Sequence, residues 1–323
     1  MITRRIVLAG LASSALPVRA GHAQTFPSRT VTIVVPYPAG GPVDLVARLI
    51  GQYAAGPLGQ SIVIDNRAGG SGVIGSAAVA RAEPDGHTLV LGTNQTHATN
   101  QNLIKNCPYD AVKDFAPVAG IADIAHVLVT RKDLGVADAA ALVALAKQKA
   151  GALNYGSTGN GSASHLAGEL FKVKAGISAQ HVPFRGAAPM TQELIAGRID
   201  YAFATLPSVV GQIASGDLHA LAVASPRRAP RLETIPTLNE AGIAGVEADA
   251  WFTLFAPAHT PAAAIERLYG AVQAVFADAA PRDSIARQGM TLALKSPAEV
   301  AAALPGEVAK WAAVIKAANI TVE

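Results

Sequence analysis

The chain has a single cysteine, few aromatic residues and little charge. Cys107 stands alone among 323 residues, of which 5% are aromatic and 15% are charged. One cysteine excludes an intrachain disulfide and a thiolate metal cluster. So few aromatic rings argue against sugar-stacking platforms and against an aromatic cage for a quaternary ammonium. Because half of the residues are hydrophobic, the chain can bury a large core and does not have the composition of a disordered protein.

The chain also has no apolar run as long as the roughly 20 helical residues that span a bilayer. Residues 1–23 have the pattern of a secretory signal peptide: Arg4 and Arg5 precede an uncharged stretch, and small residues flank a cleavage position near Ala23. The twin arginines permit the twin-arginine route as well as the general one. This segment's arginines account for the formal charge of +3, so the mature chain is neutral. It therefore lacks the basic excess of nucleic-acid or anionic-membrane binding.

The rest of the chain alternates short β-branched runs with helical patterns, which predicts an α/β fold with mainly parallel strands. The predicted strands lie at 31–35, 61–65, 87–92, 127–129, 153–155, 181–184, 199–204, 218–224 and 251–255. The predicted helices include 74–82, 137–149, 162–174, one opened by Pro189, 265–278 and 300–318.

A glycine-rich turn at 36–42 follows the first predicted strand, where open α/β sheets bind ligands. Its glycines let the backbone approach a ligand, and the following helix presents unpaired N–H groups to an anion. The simpler interpretation is a tight turn in which Asp44 stabilises the start of the helix.

A second loop, at 156–165, places four hydroxyls, three glycines and His165 between a strand and a helix. Such a loop can surround a carboxylate, but it can also be a flexible loop in which Ser162 caps the helix. His165 by itself is more typical of a structural histidine than of a ligand contact. Arg185 follows another strand, where it either pairs with an anion or lies on the surface.

Each enzyme motif considered lacks a residue that its chemistry requires. The GxGxxG match at 70–75 has no acid at the end of the next strand to hold a ribose. A nucleophile elbow around Ser162 needs glycine at 160 and 164, where Asn160 and Ser164 stand. No histidine pair has metal-ligand spacing, so no cofactor and no metal are expected.

Six segments carry a resemblance to a known family over essentially the whole mature chain. They are residues 33–51, 63–92, 109–118, 153–171, 183–203 and 235–261. With these segments in this order, the chain resembles the receptors of tripartite tricarboxylate transporters, also called Bug receptors.

The resemblance implies a two-lobed periplasmic-binding-protein fold of type II, the Venus-flytrap fold, with two strands crossing between the lobes. The crossings are expected near 121–125 and 249–252. Lobe 1 is then discontinuous, at 24–124 and 248–323, and lobe 2 is 125–247.

The resemblance also implies a ligand site in the cleft between the lobes. The residues carried over from it or expected to flank the cleft are Tyr37, Ala39, Gly40, Gly41, Thr93, Asn94, Ser157, Thr158, Gly159, Ser162, His165, Arg185, Gly186 and Thr205. Thr205 stands where some relatives carry an acid that meets a ligand amine, which disfavours an amino-acid ligand.

The implied function is a periplasmic receptor without enzymatic activity, which delivers a small carboxylate to the membrane subunits of its transporter. A monomer is the favoured oligomeric state. Two alternatives stay open at this point. One is an exported α/β hydrolase that uses Ser162 and His165. The other is a receptor of the same fold that reports ligand occupancy to a membrane signalling kinase.

Overall fold

A computed structural model describes residues 26–320, which form a six-stranded and a five-stranded sheet flanked by helices. The predicted signal peptide lies outside the described residues. The strands are β1 (Val31–Val35), β2 (Ile62–Asn66), β3 (Thr88–Thr93), β4 (Phe115–Ile124), β5 (His126–Arg131), β6 (Asn154–Ser157), β7 (Gln180–Pro183), β8 (Tyr201–Thr205), β9 (Leu218–Val223), β10 (Ala250–Pro257) and β11 (Thr291–Lys295). The helices are α1 (Pro42–Leu58), α2 (Val73–Ala80), α3 (Asn100–Leu103), α4 (Ala139–Gln148), α5 (Ala163–Ala175), α6 (Ala187–Ile195), α7 (Leu206–Ser215), α8 (Ala262–Ala277), α9 (Ala279–Arg287) and α10 (Pro297–Ala317).

The first sheet has the strand order β11-β4-β10-β3-β1-β2, and the second has the order β7-β6-β8-β5-β9. Parallel pairing holds for β1 with β2 and β3, and for β6 with β7 and β8. Strand β10 runs antiparallel to β3 and β4, β11 to β4, and β5 to β8 and β9. The α/β fold class is confirmed, whereas the expectation of mainly parallel strands is wrong. Strands β5 and β10 each follow a crossing from the other sheet, and both run antiparallel to their neighbours.

Several elements differ from the prediction. Helices α7 and α9 and strand β11 were not predicted, and β4 is a long strand of which only the end was foreseen as a crossing. Helix α6 begins at Ala187, so Pro189 is its third residue instead of its first. Proline is still tolerated there, because the first turn of a helix has no intrahelical acceptor for its N–H groups.

Each sheet has its own hydrophobic core. In the first, Ile33, Leu89 and Ile121 pack with residues of α1 and α8. In the second, Leu128 and Tyr201 pack with residues of α4 and α5. The long helix α10 contributes to two clusters, because its first half packs beside β4 and its second half packs beside α5.

The chain passes from the first sheet to the second between Ile124 and His126, and returns between β9 and Ala250. The two passages are joined by hydrogen bonds: His126 Nδ1 lies 2.7 Å from the carbonyl oxygen of Ala248, and the Ala224 N–H donates to the carbonyl of His126 over 2.8 Å. Among residues 26–320, none of the helices has both the length and the apolar character to cross a membrane.

Gly168 of α5 lies against the Tyr155 ring, and this contact gives a testable stability difference. A Cβ built on Gly168 would lie 2.3 Å from Tyr155 Cε2, whereas one on Gly270 of α8 would have no neighbour within 4 Å. We expect Gly168→Ala to lower the free energy of unfolding by about 1–3 kcal/mol, because the buried ring must shift. Gly270→Ala should raise it by about 0.4–1 kcal/mol, since alanine restricts the unfolded chain. Urea denaturation of both variants measures the difference. Equal effects at the two positions would contradict the packing argument.

Candidate functional site

The carboxyl edge of the first sheet brings together two residues predicted for the site. The Tyr37 hydroxyl lies 2.8 Å from Thr93 Oγ1 and donates to Gln95 Oε1 over 3.1 Å. Tyr37 follows β1 and Thr93 ends β3, and the two strands are parallel, so their ends meet. Burial raises the pKa of Tyr37 to about 12, although the bond to Thr93 opposes the shift. The phenol therefore stays neutral and keeps its proton for hydrogen bonding.

The turn after β1 is held by the buried carboxylate of Asp44. Its Oδ2 accepts from the Gly40 N–H over 2.9 Å and from Arg48 Nε over 2.8 Å, while its Oδ1 accepts from Asn66 Nδ2 over 2.9 Å. Gly40 adopts a φ of +87°, a left-handed conformation that favours glycine. The Gly40 N–H thus points into the turn. Its neighbours Ala39 and Gly41, which were also predicted for the site, have backbone N–H groups that do not bind Asp44.

Behind Thr93, the side chain of Asn94 is buried, and its Nδ2 has no acceptor in the described part of the chain. A buried donor without a partner is uncommon in native proteins. Asn94 begins the π-helical turn Gln95–Thr99, at the same sheet edge as Tyr37.

In the second sheet, the loop between β6 and α5 is a chain of hydroxyl groups. Thr158 Oγ1 lies 3.0 Å from Ser164 Oγ, which lies 3.0 Å from Ser162 Oγ. Ser162 also caps α5, because its hydroxyl accepts the His165 N–H over 3.3 Å. Ser164 joins the two predicted residues, but it was not among the predicted site residues. Its place on the first turn of α5, two residues after the cap, was the available signal.

Ser157 turns inward. Its side chain is fully buried, its Oγ lies 2.6 Å from His181 Nε2, and it exchanges two hydrogen bonds with Gly159, one with the N–H and one with the carbonyl. The partly exposed groups of this loop are Thr158 and Gly159, next to the exposed Asn160.

The geometry around His165 does not make a catalytic dyad with Ser162. His165 Nδ1 accepts the Gly161 N–H over 3.0 Å, and the Ser162 hydroxyl contacts the backbone of His165 instead of its ring. Burial and the nearby Lys172 lower the pKa of His165 to about 4. The imidazole is therefore neutral at pH 7 and occupied by the loop backbone, as a structural histidine would be.

The remaining predicted residues lie at the ends of β7 and β8, the two strands that pair with β6. Arg185 is exposed after β7, where no carboxylate of residues 26–320 pairs with it. Gly186 precedes α6 with a φ of +111°. Thr205 ends β8 and precedes α7, and its hydroxyl donates to Ser208 Oγ over 3.2 Å.

The two sheet edges lie on either side of the first crossing. Strand β4 runs in the direction of β3, because both are antiparallel to β10, so Ile124 leaves the first sheet at the carboxyl edge. His126 opens β5 opposite Thr205, at the carboxyl edge of the second sheet. Helices α1, α5, α6 and α7 all begin at these edges. Helix starts carry partial positive charge and unpaired N–H groups, so the arrangement suits an anion.

Two glycines of the GxGxxG match, Gly72 and Gly75, have a packing role. A Cβ on Gly72 would lie 2.5 Å from Thr96 Cγ2, and one on Gly75 would lie 2.9 Å from the Arg67 carbonyl and 3.0 Å from Pro36. Glycine therefore lets α2 approach the turn after β1. Among the described residues, no group of three or more His, Cys, Asp or Glu side chains could hold a metal ion.

Sequence reasoning missed a charged cavity of about 250 Å³ beside the crossing strands. Asp123 of β4 and Asp249, which precedes β10, both line it, with Lys295, Glu307 and Lys310 on the facing elements. Lys295 Nζ lies 3.8 Å from Asp123 Oδ2, and the Ser225 hydroxyl donates to Asp249. Asp123 and Asp249 lie far apart in sequence, and only the pairing of β4 with β10 brings them together.

Comparison with known sequences places the chain among solute receptors. A family model described as "Tripartite tricarboxylate transporter family receptor" matches residues 46–320. The protein from the tcbD–tcbE intergenic region of a Pseudomonas species is 36% identical over 313 residues, which cover 96% of this chain and 93% of that protein. BugT of Bordetella pertussis is 32% identical over 320 residues, covering 98% of this chain and 97% of BugT.

Two solved structures are similar along nearly their whole length. The R. palustris protein Rpa4515 with adipate gives a TM-score of 0.80 at 37% identity and covers 92% of this chain and 99% of that one. MatC from Rhodopseudomonas palustris with bound malate gives a TM-score of 0.76 at 33% identity and covers 90% of this chain and 100% of that one.

Proposed function

Because the chain belongs to the tripartite tricarboxylate transporter receptor family, we propose that it is a periplasmic receptor for a small carboxylate. It would bind its ligand between the two sheets and deliver it to the membrane subunits of a tripartite transporter. The family is one of receptors and not of enzymes, and its members Rpa4515 and MatC have structures with adipate and malate. These relatives support a carboxylate as the ligand class.

The observation that carries the proposal is the gathering of helix starts at the carboxyl edges of both sheets, on either side of the first crossing. Helices α1, α5, α6 and α7 begin there, and the first crossing joins the two edges. The proposed site takes its polar groups from Tyr37, Ala39, Gly41, Thr93 and Asn94 on one side. Those of the other side come from the loop at 157–162 and from Arg185, Gly186 and Thr205, while Gly40 and His165 shape the two loops.

Binding needs no bond to break. We propose lobes at 24–124 with 248–323 and at 125–247, which close on a carboxylate that bridges them. Hydrogen bonds to a charged group contribute roughly 1.5–3 kcal/mol each, so four or five can supply the roughly 8 kcal/mol of micromolar affinity after ordering costs. Thr205 offers a hydroxyl and no negative charge, so the site favours an organic acid over an amino acid.

The direct test is calorimetry on the purified mature chain with adipate, malate, a monocarboxylate and an amino acid. We expect one site per chain, with the ligand recovered unchanged. Replacing Ser157 and Thr158 together by alanine should weaken binding more than tenfold, because it removes one exposed donor and the support of the loop. Ser215→Ala, at the far end of α7, removes a hydroxyl away from the proposed site and is the matched control.

Two results would contradict the proposal. One is unchanged affinity in the double variant while Ser215→Ala also binds normally. The other is a wild-type chain that binds none of the acids.

A further inference from the structure

Two histidines behind the second-sheet loop hold its two ends. His181 Nε2 lies 2.6 Å from the Ser157 hydroxyl at the start of the loop, and His165 Nδ1 accepts the Gly161 N–H over 3.0 Å near its end. The two imidazole rings stack face to face, with centroids 3.8 Å apart and an angle of 4° between the planes. We call this pair the imidazole clamp. His181 was not among the residues predicted for the site.

The hydrogen bonds of Ser157 decide which nitrogen of His181 carries the proton. A hydroxyl has one hydrogen to donate and two lone pairs. Ser157 Oγ accepts the Gly159 N–H over 3.2 Å and donates to the Gly159 carbonyl over 3.1 Å. With both bonds to Gly159 made, the remaining partner is a donor, and we assign the hydrogen of His181 to Nε2 on this basis. His165 has the opposite requirement, because its Nδ1 must be unprotonated to accept from Gly161.

The surroundings keep both rings neutral. Burial and the neighbouring imidazole of His165 lower the pKa of His181 to about 4, while the charge of Glu169 opposes this shift and the charge of Lys172 adds to it. The charged or titratable groups that face the pair are Glu169 and Lys172 of α5 and the phenol of Tyr155 in β6. Lys172 binds both oxygens of Glu169, and the Tyr155 hydroxyl donates to the same carboxylate over 2.5 Å, so these groups already satisfy one another.

On the premise of the proposed function, we propose that His165 and His181 are positioning residues, which fix the loop at 157–161 in its ligand-binding shape before the ligand arrives. Neither ring needs to touch the ligand. A loop that is already ordered loses less conformational entropy on binding, so the clamp acts on affinity. Its hydrogen bonds are separable from its packing, because one substitution can keep the ring and another can keep the hydrogen-bonding atom.

Two matched pairs of variants make this separation. His181→Phe keeps an aromatic ring on His165 but has no donor, whereas His181→Gln places an amide donor near the position of Nε2 and loses the ring. His165→Phe keeps an aromatic ring on His181 but has no acceptor. His165→Asn places an amide oxygen near the position of Nδ1 and loses the ring. We expect the phenylalanine variants to bind adipate about tenfold more weakly, the loss of one hydrogen bond. The Gln and Asn variants should stay within about threefold of wild type while melting at a lower temperature, because they lose the stack.

Hydrogen exchange of the ligand-free protein tests the clamp independently of any ligand. We expect amides at 157–162 to exchange faster in both phenylalanine variants than in their amide partners, while the exchange of β8 stays the same. Affinity and loop exchange that follow the melting temperature across all four variants would overturn the proposal, since the histidines would then only stabilise the fold. Should wild type bind no carboxylate, the proposed function fails, and the exchange pattern still decides the clamp.

Discussion

We expect Asp249→Asn to stabilise the protein by about 2 kcal/mol at pH 8, about 5 °C in melting temperature, and to leave the stability near pH 4 unchanged. Burial raises the pKa of Asp249 to about 7, with a smaller contribution from the charge of Asp123 and against the hydrogen bond from Ser225. Asparagine keeps an oxygen that can accept from Ser225. It removes only the charge that is disfavoured at this position.

The sign follows from proton binding. An aspartate in the unfolded chain has a pKa of about 3.9, so between this value and about 7 the folded protein binds more protons than the unfolded chain. Its stability therefore falls as pH rises through this window, and the full penalty is present above pH 7. The difference between a pKa of about 7 and one of about 3.9 corresponds to about 4 kcal/mol, which we halve because Asp249 is partly exposed.

Thermal unfolding at pH 4, 6 and 8 measures the effect. Asp283→Asn removes one negative charge from an exposed position of α9 and serves as the control. A stabilisation of Asp249→Asn that is equal at all three pH values, or that Asp283→Asn reproduces, would contradict the argument.

Ionised Asp249 is destabilising, and it lies beside both crossings. It therefore places a negative charge where the two sheets are connected. Asp123 and Asp249 line one cavity with Lys295 and Lys310, so the balance of charge there depends on how closely these elements approach. In the arrangement described here, burial also raises the pKa of Asp123, against the charge of Lys295. The energy of this cavity therefore depends on pH.

The sequence predicted local elements better than their relative directions. Strand β1 lies where the alternation of residue types put it, and the ends of β1 and β3 meet at Tyr37 and Thr93. Strand β10 was predicted at 251–255, but its antiparallel direction was not, because a buried strand has the same apolar run in either direction. Helix α7 was missed, since Leu206–Ser215 is short and contains Pro207 and Gly211.

The sequence predicts which residues follow a strand end, and the candidate site residues were predicted on that basis. The loop at 157–162 is identified by its glycines and hydroxyls, but their orientation depends on partners elsewhere in the chain. Ser157 faces inward because β7 pairs with β6 and brings His181 beside it, across 24 residues of sequence. No local pattern distinguishes an inward hydroxyl from an outward one.

Asp44→Ala should be the most damaging single substitution at the first sheet's edge, with a loss of about 3 kcal/mol in the free energy of unfolding. It removes the acceptor of the Gly40 N–H, the Asn66 amide and Arg48 together. The guanidinium is mostly exposed, so the cost comes mainly from the two less exposed donors. Because the turn then loses its shape, we also expect adipate binding to weaken.

The matched control is Arg48→Ala, which removes the exposed partner and should cost less than about 1 kcal/mol. Burial would raise the pKa of Asp44, but hydrogen bonds from Arg48, Gly40 and Asn66 outweigh it and lower that pKa. Its contribution is then present above the ordinary value of about 4 and is lost as pH falls through the lowered pKa. Urea denaturation at pH 7 and pH 3 should show the gap between wild type and Asp44→Ala narrowing in acid. A gap that widens in acid, or an Arg48→Ala variant as unstable as Asp44→Ala, would show that the carboxylate does not organise the turn.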